Sequence, residues 1–361
     1  MARRACCFDA LPVGSAILQR NVAIDWLKAA AILTVVWIHV YLTFGRPEVG
    51  VVPFVMAVTR FAVPAFFFAS GFLSHRPEPL GARWLGSRLV RVLVPYLVAS
   101  VVAIAIRTLT VGPLSFREMA WQILGGDALG IYYFIVPFVL AIALAVPLSH
   151  APVLVLPCVV VLAVTACLSE GGILTIPADN PLDWWYWNQR NPLRWLIYFV
   201  LGWYAAMHVQ TIERLGRSRR RRIGTLALSA SVVLSLVSIR LPREGLVPGA
   251  LTCSIIYAAI AGILLLGWDA GGAAPPLGER VRGAVSRAVR WLSDATFPIY
   301  LYHFFFISAF SFLLAGTLRG RFGWPRLATD VLCFGVSIAG SCGVVWSGRK
   351  ALGAKSRLLL G

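Results

Sequence analysis

The sequence predicts an all-α, polytopic integral membrane protein with about ten transmembrane helices and both termini in the cytoplasm. Three observations lead there. Of the 361 residues, 59% are hydrophobic and only 13% charged, and the mean hydropathy is +0.78; water-soluble domains are far less apolar. Ten apolar stretches can be drawn along the chain, most of them reaching the roughly 17–25 residues that cross a bilayer. The basic residues between the stretches alternate in density from one connection to the next, which is the signature of the positive-inside rule.

The stretches run 22–44, 51–73, 88–110, 129–148, 151–169, 193–210, 223–240, 248–268, 294–316 and 327–348. With the N-terminus inside, 21 Lys and Arg fall on the cytoplasmic face and 9 on the outer face, while Lys28, Arg60 and Arg107 lie within spans. This divides the chain into a cytoplasmic segment over 1–21, a transmembrane domain over 22–348 and a basic cytoplasmic tail over 349–361. Residues 1–21 have no apolar core, so no cleavable signal peptide is expected. The net charge of +18 and the run RLGRSRRRR at 214–222 follow from topology and contact with anionic lipid. Membrane lipids are therefore the expected partners of the basic surface, and nucleic acid is not.

The first span, VAIDWLKAAAILTVVWIHVYLTF, holds Asp25, Lys28 and His39 in an otherwise apolar run. A charge inside a bilayer costs at least a few kcal/mol, so such residues mark function. At about 100° per residue, Lys28 and His39 lie roughly 20° apart and Asp25 within about 40° of His39, so all three share one stripe. His39 sits roughly 16 Å beyond Lys28 along the axis. The stripe connects the cytoplasmic edge with a buried polar site.

Later spans add polar groups, each with a structural reading beside the functional one. In the second, Pro64 and the Ser70–Gly71 pair loosen the helix for close packing, or Ser70 faces a cavity. Entering the third, Arg88 and Arg91 are three residues apart and share a helix face at the inner boundary. They either anchor the helix to headgroups or clamp a phosphate with two planar forks. The ninth places His303 about 15 Å deep beside Tyr300 and Tyr302, as a core histidine bonded to a tyrosine or as part of a cavity. The aromatic loop DWWYWNQRNPLRW at 183–195 is an interfacial belt or a stacking surface for an acceptor. The seven cysteines form no CxxC pair and no Cys/His metal spacing, so neither structural disulfides nor a metal are expected.

Taken together, these segments resemble the membrane-integral acyltransferase 3 family. The resemblance rests on DWLK followed by His39, on FFFASGFL, on Arg88-x-x-Arg91 followed by Pro95 and Tyr96, on YYF at 132–134, on YFVLGW at 198–203 and on FPIYLYH at 297–303. Two features depart from it: the basic position is Lys28 where many members have arginine, and no extracytoplasmic esterase-like domain follows the tenth span.

The resemblance implies an acyltransferase of the cell membrane, such as a bacterial inner or plasma membrane. Its co-substrate would be acyl-CoA, acetyl-CoA in the simplest case, with no bound cofactor. Arg88 and Arg91 would hold the donor phosphates, and Lys28, ion-paired with Asp25, would orient the donor. His39 would act as general base or carry the acyl group transiently. The acceptor would be a hydroxyl of a glycan, a lipid-linked sugar or a small secreted molecule. Ser70, Tyr133, Tyr300 and His303 are candidates for the cavity wall. The competing class is a proton-coupled transporter that uses Asp25, Lys28 and His39 as a relay.

Overall fold

Asn21 starts the first helix: its side-chain oxygen accepts the backbone N–H groups of Ala23 and Ile24 at 3.0 and 3.3 Å. This N-cap satisfies two donors that a helix start otherwise leaves open. The structure, a computed structural model, describes residues 20–44, 51–242, 244–268, 276–353 and 356–359. The segment 1–19, with Cys6 and Cys7, and Arg46 lie outside the described residues.

From Asn21, α1 (Val22–Phe44) crosses once. The second apolar stretch is a broken helix, α2 (Val51–Thr59) and α3 (Ala62–Ser74), interrupted at Arg60. Next come the long α4 (Ala82–Thr110) and the short α5 (Phe116–Leu124), whose start is a capping box between Ser115 and Glu118. A 3₁₀ turn over Tyr132–Phe134 leads into α6 (Ile135–His150), followed by α7 (Val155–Glu170) and α8 (Pro181–Arg190). A second 3₁₀ turn, Pro192–Arg194, opens α9 (Leu196–Met207), with α10 (Val209–Arg214), α11 (Arg217–Ser238) and α12 (Leu246–Trp268) behind it. The C-terminal part holds α13 (Pro276–Asp294), α14 (Thr296–Phe310), α15 (Arg326–Leu352) and α16 (Ser356–Leu359). Beyond Phe310, α14 continues through two π-helical stretches, Ser311–Ala315 and Thr317–Arg321.

Among the described residues there is no strand, and nine helical segments are long and apolar enough to cross a membrane. The stretch at 193–210 differs from the sequence expectation. Its continuous helix is only the 12 residues of α9, about 18 Å, because Pro192 sets its start and the chain turns polar from His208 onward. The basic run also differs: Arg217 and Arg219 to Arg222 form the first turns of α11 rather than a loop.

What α9 lacks in length it recovers in packing. Ile197, Tyr198, Phe199, Val200 and Trp203 are all buried, and the helix lies against α3 with their backbones nearly touching. A Cβ on Gly71 would come within 1.9 Å of the Phe199 carbonyl oxygen, and one on Gly202 within 1.9 Å of the Phe68 carbonyl oxygen. Only glycine fits on either side of this crossing. Small residues that admit such close approach are how helices associate in lipid, where apolar burial gives no advantage over the tails.

Between α5 and α6 the chain descends into the helix assembly. The Tyr96 hydroxyl donates to the Ile123 carbonyl at 2.5 Å, and Tyr96 sits about 21 Å along α4 from Ala82. Further down, the Tyr132 hydroxyl donates to the Leu301 carbonyl at 2.7 Å, and the Tyr300 hydroxyl donates to the Ile131 carbonyl. The irregular segment 125–131 therefore lies at mid-depth of α4 and α14 rather than at a membrane surface. The aromatic segment reaches it from the other side. Buried Arg190, at the end of α8, donates to the carbonyls of Gly125 at 2.6 Å and Gly126 at 3.2 Å, and to Asp127 at 3.3 Å. Its guanidinium also stacks on Tyr186 at 3.5 Å.

The α3–α9 crossing yields a measurable expectation. Gly202→Ala should lower the thermal midpoint of the detergent-purified protein, by a stability loss of about 1–3 kcal/mol for overpacking. Gly335→Ala, whose added Cβ meets nothing within 4 Å, should leave the midpoint unchanged.

Candidate functional site

The inner end of α1 is organised by Arg20. Its guanidinium pairs with Asp25 through Nε at 2.6 Å and Nη2 at 3.0 Å. It also bridges to Asp294 at 3.0 and 3.1 Å and to the Arg290 carbonyl at 3.0 Å. The two carboxylates, above all the hydrogen bond to Asp25, raise the Arg20 pKa above its ordinary value. Buried Ser293 completes the cluster by donating to Asp25 Oδ1 at 2.7 Å. The C-terminal end of α13 is thereby fastened to the first turn of α1.

This corrects the expected Asp25–Lys28 pair. Asp25 is occupied by Arg20 and Ser293, and Lys28 has no ion pair within 4 Å among the described residues. Its charged surroundings are Asp25, Asp294, Arg20 and Arg88. Arg88, partly buried, donates to Ser74 Oγ at the end of α3 at 3.4 Å and lies 5.8 Å from the Trp84 ring. It too has no carboxylate partner among the described residues. Arg91 behaves differently from the expectation of a paired clamp. It is exposed and folds back on its own helix, donating to the Ser87 carbonyl at 3.2 Å and to Ser87 Oγ at 2.8 Å. Arg76 and Arg91 are the charges near Arg88.

About 16 Å further along α1, His39 meets His303. The sequence placed both at depth but did not pair them. His39 Nδ1 lies 2.9 Å from the Val35 carbonyl and 3.1 Å from His303 Nε2. His303 Nδ1 lies 2.7 Å from the Tyr300 carbonyl and 3.1 Å from that of Ile299. His303 is therefore bonded to the backbone of Tyr300, not to its hydroxyl, which is taken by Ile131. His303 is fully buried, while His39 keeps part of its surface accessible and is flanked by the Phe304 ring at 5.8 Å.

The other predicted cavity residues separate. Tyr300 belongs to the histidine cluster, its ring 5.7 Å from His303 and 4.5 Å from Phe134. Tyr133 faces Trp195 at 6.1 Å and has Arg194 and Glu170 as its charged neighbours. Ser70 sits at the α3–α9 crossing and makes no side-chain hydrogen bond among the described residues, so packing accounts for the Ser70–Gly71 pair.

Three ion-pair groups were not anticipated. Buried Glu170, at the end of α7, accepts from Arg194 at 2.5 and 2.8 Å and lies 3.8 Å from Arg60. Beyond α14, Arg319 at 2.9 Å and Arg326 at 3.6 Å hold buried Asp330. Arg319 lies 4.9 Å from the Phe44 ring and Arg326 lies 5.8 Å from the Tyr41 ring, near the far end of α1. The third group is the Arg190–Asp127 contact that joins α8 to the segment at 125–131. Charged residues at 60, 170 and 194 inside or beside apolar stretches were the available signal, but their pairing spans up to 110 positions and leaves no local pattern.

Among the described residues, no group of three or more His, Cys, Asp or Glu could hold a metal ion. Cys158, Cys167, Cys253, Cys333 and Cys342 are free thiols. The site thus consists of uncompensated cations at the inner end of α1 and a histidine pair toward its other end. Comparison with curated proteins and with solved structures gives no match. A family model described as an acyltransferase domain matches residues 21–346, which takes in every helix that builds the cluster at Arg20, the cations and the histidine pair. With nearly the whole chain matched, the protein belongs to the membrane-integral acyltransferase 3 family.

Proposed function

We propose that this membrane acyltransferase moves an acyl group, acetyl in the simplest case, from cytoplasmic acyl-CoA to a hydroxyl of a glycan, a lipid-linked sugar or a secreted small molecule. The observation that carries the reading is the engagement of Asp25 by Arg20 and Ser293. It leaves Lys28, on the face of α1 that leads to His39, without an ion-pair partner among the described residues, as is Arg88 on α4 nearby. An uncompensated buried cation is expensive. An anionic ligand such as the phosphate groups of CoA offsets that cost, and Arg88 offers a planar fork suited to phosphate oxygens.

The donor would enter from the cytoplasm with its phosphates on Lys28 and Arg88 and its thioester extended toward His39. His39 takes the proton from the acceptor hydroxyl as that oxygen attacks the thioester carbonyl. The tetrahedral intermediate collapses with cleavage of the C–S bond, and the departing thiolate recovers the proton from His39. The products are the acyl ester and free CoA. Asp25 supports this chemistry by holding the inner end together rather than by touching the reactants. A transporter reading needs a proton path along Asp25, Lys28 and His39, and Asp25 tied to Arg20 favours the enzyme.

Three substitutions test the reading in membrane vesicles with labelled acyl-CoA on the cytoplasmic face. His39→Ala should remove acyl transfer and CoA release, by about 10²–10⁴-fold as expected for loss of a general base, while insertion is retained. Transfer at the wild-type rate would exclude His39 as the reacting group. Arg88→Lys keeps the charge and loses the fork, so the donor concentration at half-maximal rate should rise severalfold while acceptor dependence stays constant. Arg91→Lys, already folded onto Ser87, should have the smaller effect. Equal donor dependence in the wild type, Arg88→Lys and Arg91→Lys would move CoA binding away from α4.

A second measurement addresses the cluster at Arg20. In Asp25→Asn, hydrogen exchange across α13 should accelerate relative to wild type, since the substitution weakens the charge-assisted bonds from Arg20. Unchanged protection would mean that α13 is held by its packing on α1 alone.

A further inference from the structure

The contact between His39 and His303 contains proton information that the distances alone determine. The two partners of His303 Nδ1, the carbonyls of Tyr300 and Ile299, can only accept a hydrogen bond. Nδ1 of His303 therefore carries the proton. A neutral imidazole has one N–H, so His303 Nε2 presents a lone pair. That lone pair lies 3.1 Å from His39 Nδ1, whose other neighbour is the Val35 carbonyl at 2.9 Å, again an acceptor only. His39 Nδ1 is then the donor to both, and the lone pair of His39 falls on Nε2, which has no hydrogen-bond partner among the described residues. In this chain every N–H points from α1 toward α14 and the backbone, and the single free basic nitrogen is left at the accessible end.

We propose that His303 is the positioning residue of the site: together with the Val35 carbonyl it holds His39 in the Nδ1–H tautomer and aims the ring, and so makes His39 Nε2 the reacting nitrogen. The proposal deepens the acyl-transfer reading and rests on it for the identity of the reaction, but the tautomer stands by itself. When Nε2 takes the acceptor proton, His39 becomes an imidazolium whose Nδ1–H already faces a lone pair. The bond to His303 is charge-assisted at that moment and stronger than in the resting site. No proton leaves the pair: the one taken at Nε2 is returned from Nε2 to the leaving thiolate. A neutral histidine here does the orienting that a carboxylate does in a Ser-His-Asp triad. It avoids burying a fixed negative charge beside the rings of Tyr300 and Phe304.

Glutamine and asparagine separate this role from simple packing. His303→Gln places its amide near the position of Nε2 and can still accept from His39. His303→Asn reaches only the position of Nδ1, so it satisfies the backbone carbonyls and abandons His39. Steady-state transfer in vesicles, with acyl-CoA and acceptor varied separately, should show His303→Asn lowered about tenfold or more in kcat with donor KM unchanged. His303→Gln should recover a substantial part of that loss. Equal activity of the two variants, or rescue by Asn rather than Gln, would overturn the proposal and leave His303 a packing residue.

The second readout needs no reaction. The chain has five histidines, so ¹⁵N solid-state NMR of the reconstituted full-length protein can assign each ring, with His39→Gln and His303→Gln spectra as references. His39 and His303 should both report a protonated Nδ1 and an unprotonated Nε2 near neutral pH. In His303→Asn, the His39 Nδ1–H signals should shift, since the Val35 carbonyl alone is left to accept from it. A wild-type His39 protonated at Nε2, or charged, would overturn the assignment. If His39→Ala still transfers acyl groups at the wild-type rate, His39 Nε2 is not the reacting nitrogen and the proposal is overturned; if the wild type shows the stated tautomers but releases no CoA from acyl-CoA, the acyl-transfer reading fails and the hydrogen-bond order survives it.

Discussion

A bilayer offers no water to an unpaired backbone group, and that constraint decides how this protein can be built around a polar site. Irregular backbone at membrane depth persists only where protein satisfies it or where it lines a cavity. The segment at 125–131 meets the condition with side chains drawn from several elements. Tyr96 on α4 and Arg190 on α8 serve its start, and Tyr300 on α14 takes the carbonyl of Ile131 at its end. Tyr132, which follows it, reaches across to α14 in return. These bonds fix the level of Tyr300, whose carbonyl in turn fixes His303. The position of the histidine pair is thus inherited from the need to satisfy a descending loop.

The inner end obeys a different rule. There the scarce resource is negative charge, since Arg76, Arg88 and Arg91 lie close together. Arg20 takes both Asp25 and Asp294 for itself and uses them to join α1 to α13. Lys28 and Arg88 are left without an ion-pair partner among the described residues. One arginine thus defines both the rigid part of this end and the part whose cations stay unpaired.

Much of this was legible in the sequence, and the reasons are physical. Nine of the ten apolar stretches form long helices because length and hydropathy alone determine bilayer crossing. The Lys28–His39 stripe followed from helical periodicity, which needs no knowledge of neighbours. The remaining stretch, 193–210, holds a shorter continuous helix because apolar composition reports burial, not continuity: α9 is buried against α3 within the protein over 12 residues. Long-range partners were unreadable in principle. Asp25 and Ser293 are 268 positions apart, so a nearby Lys28 looked like the natural partner for the carboxylate. Arg88 and Arg91 share a face by spacing, but Ser87 one turn back captures Arg91, a local competition that periodicity cannot express.

The two histidines of the pair stand 264 residues apart, one on the first helix and one on α14 near the end of the chain. At the roughly 5–20 residues per second of synthesis, about 13–50 s pass between the emergence of the first and the second. Throughout that interval α1 sits in the membrane with His39 lacking its orienting neighbour. A half-made chain therefore carries His39 without the His303 contact, and the pair forms only when almost all of the protein has been made.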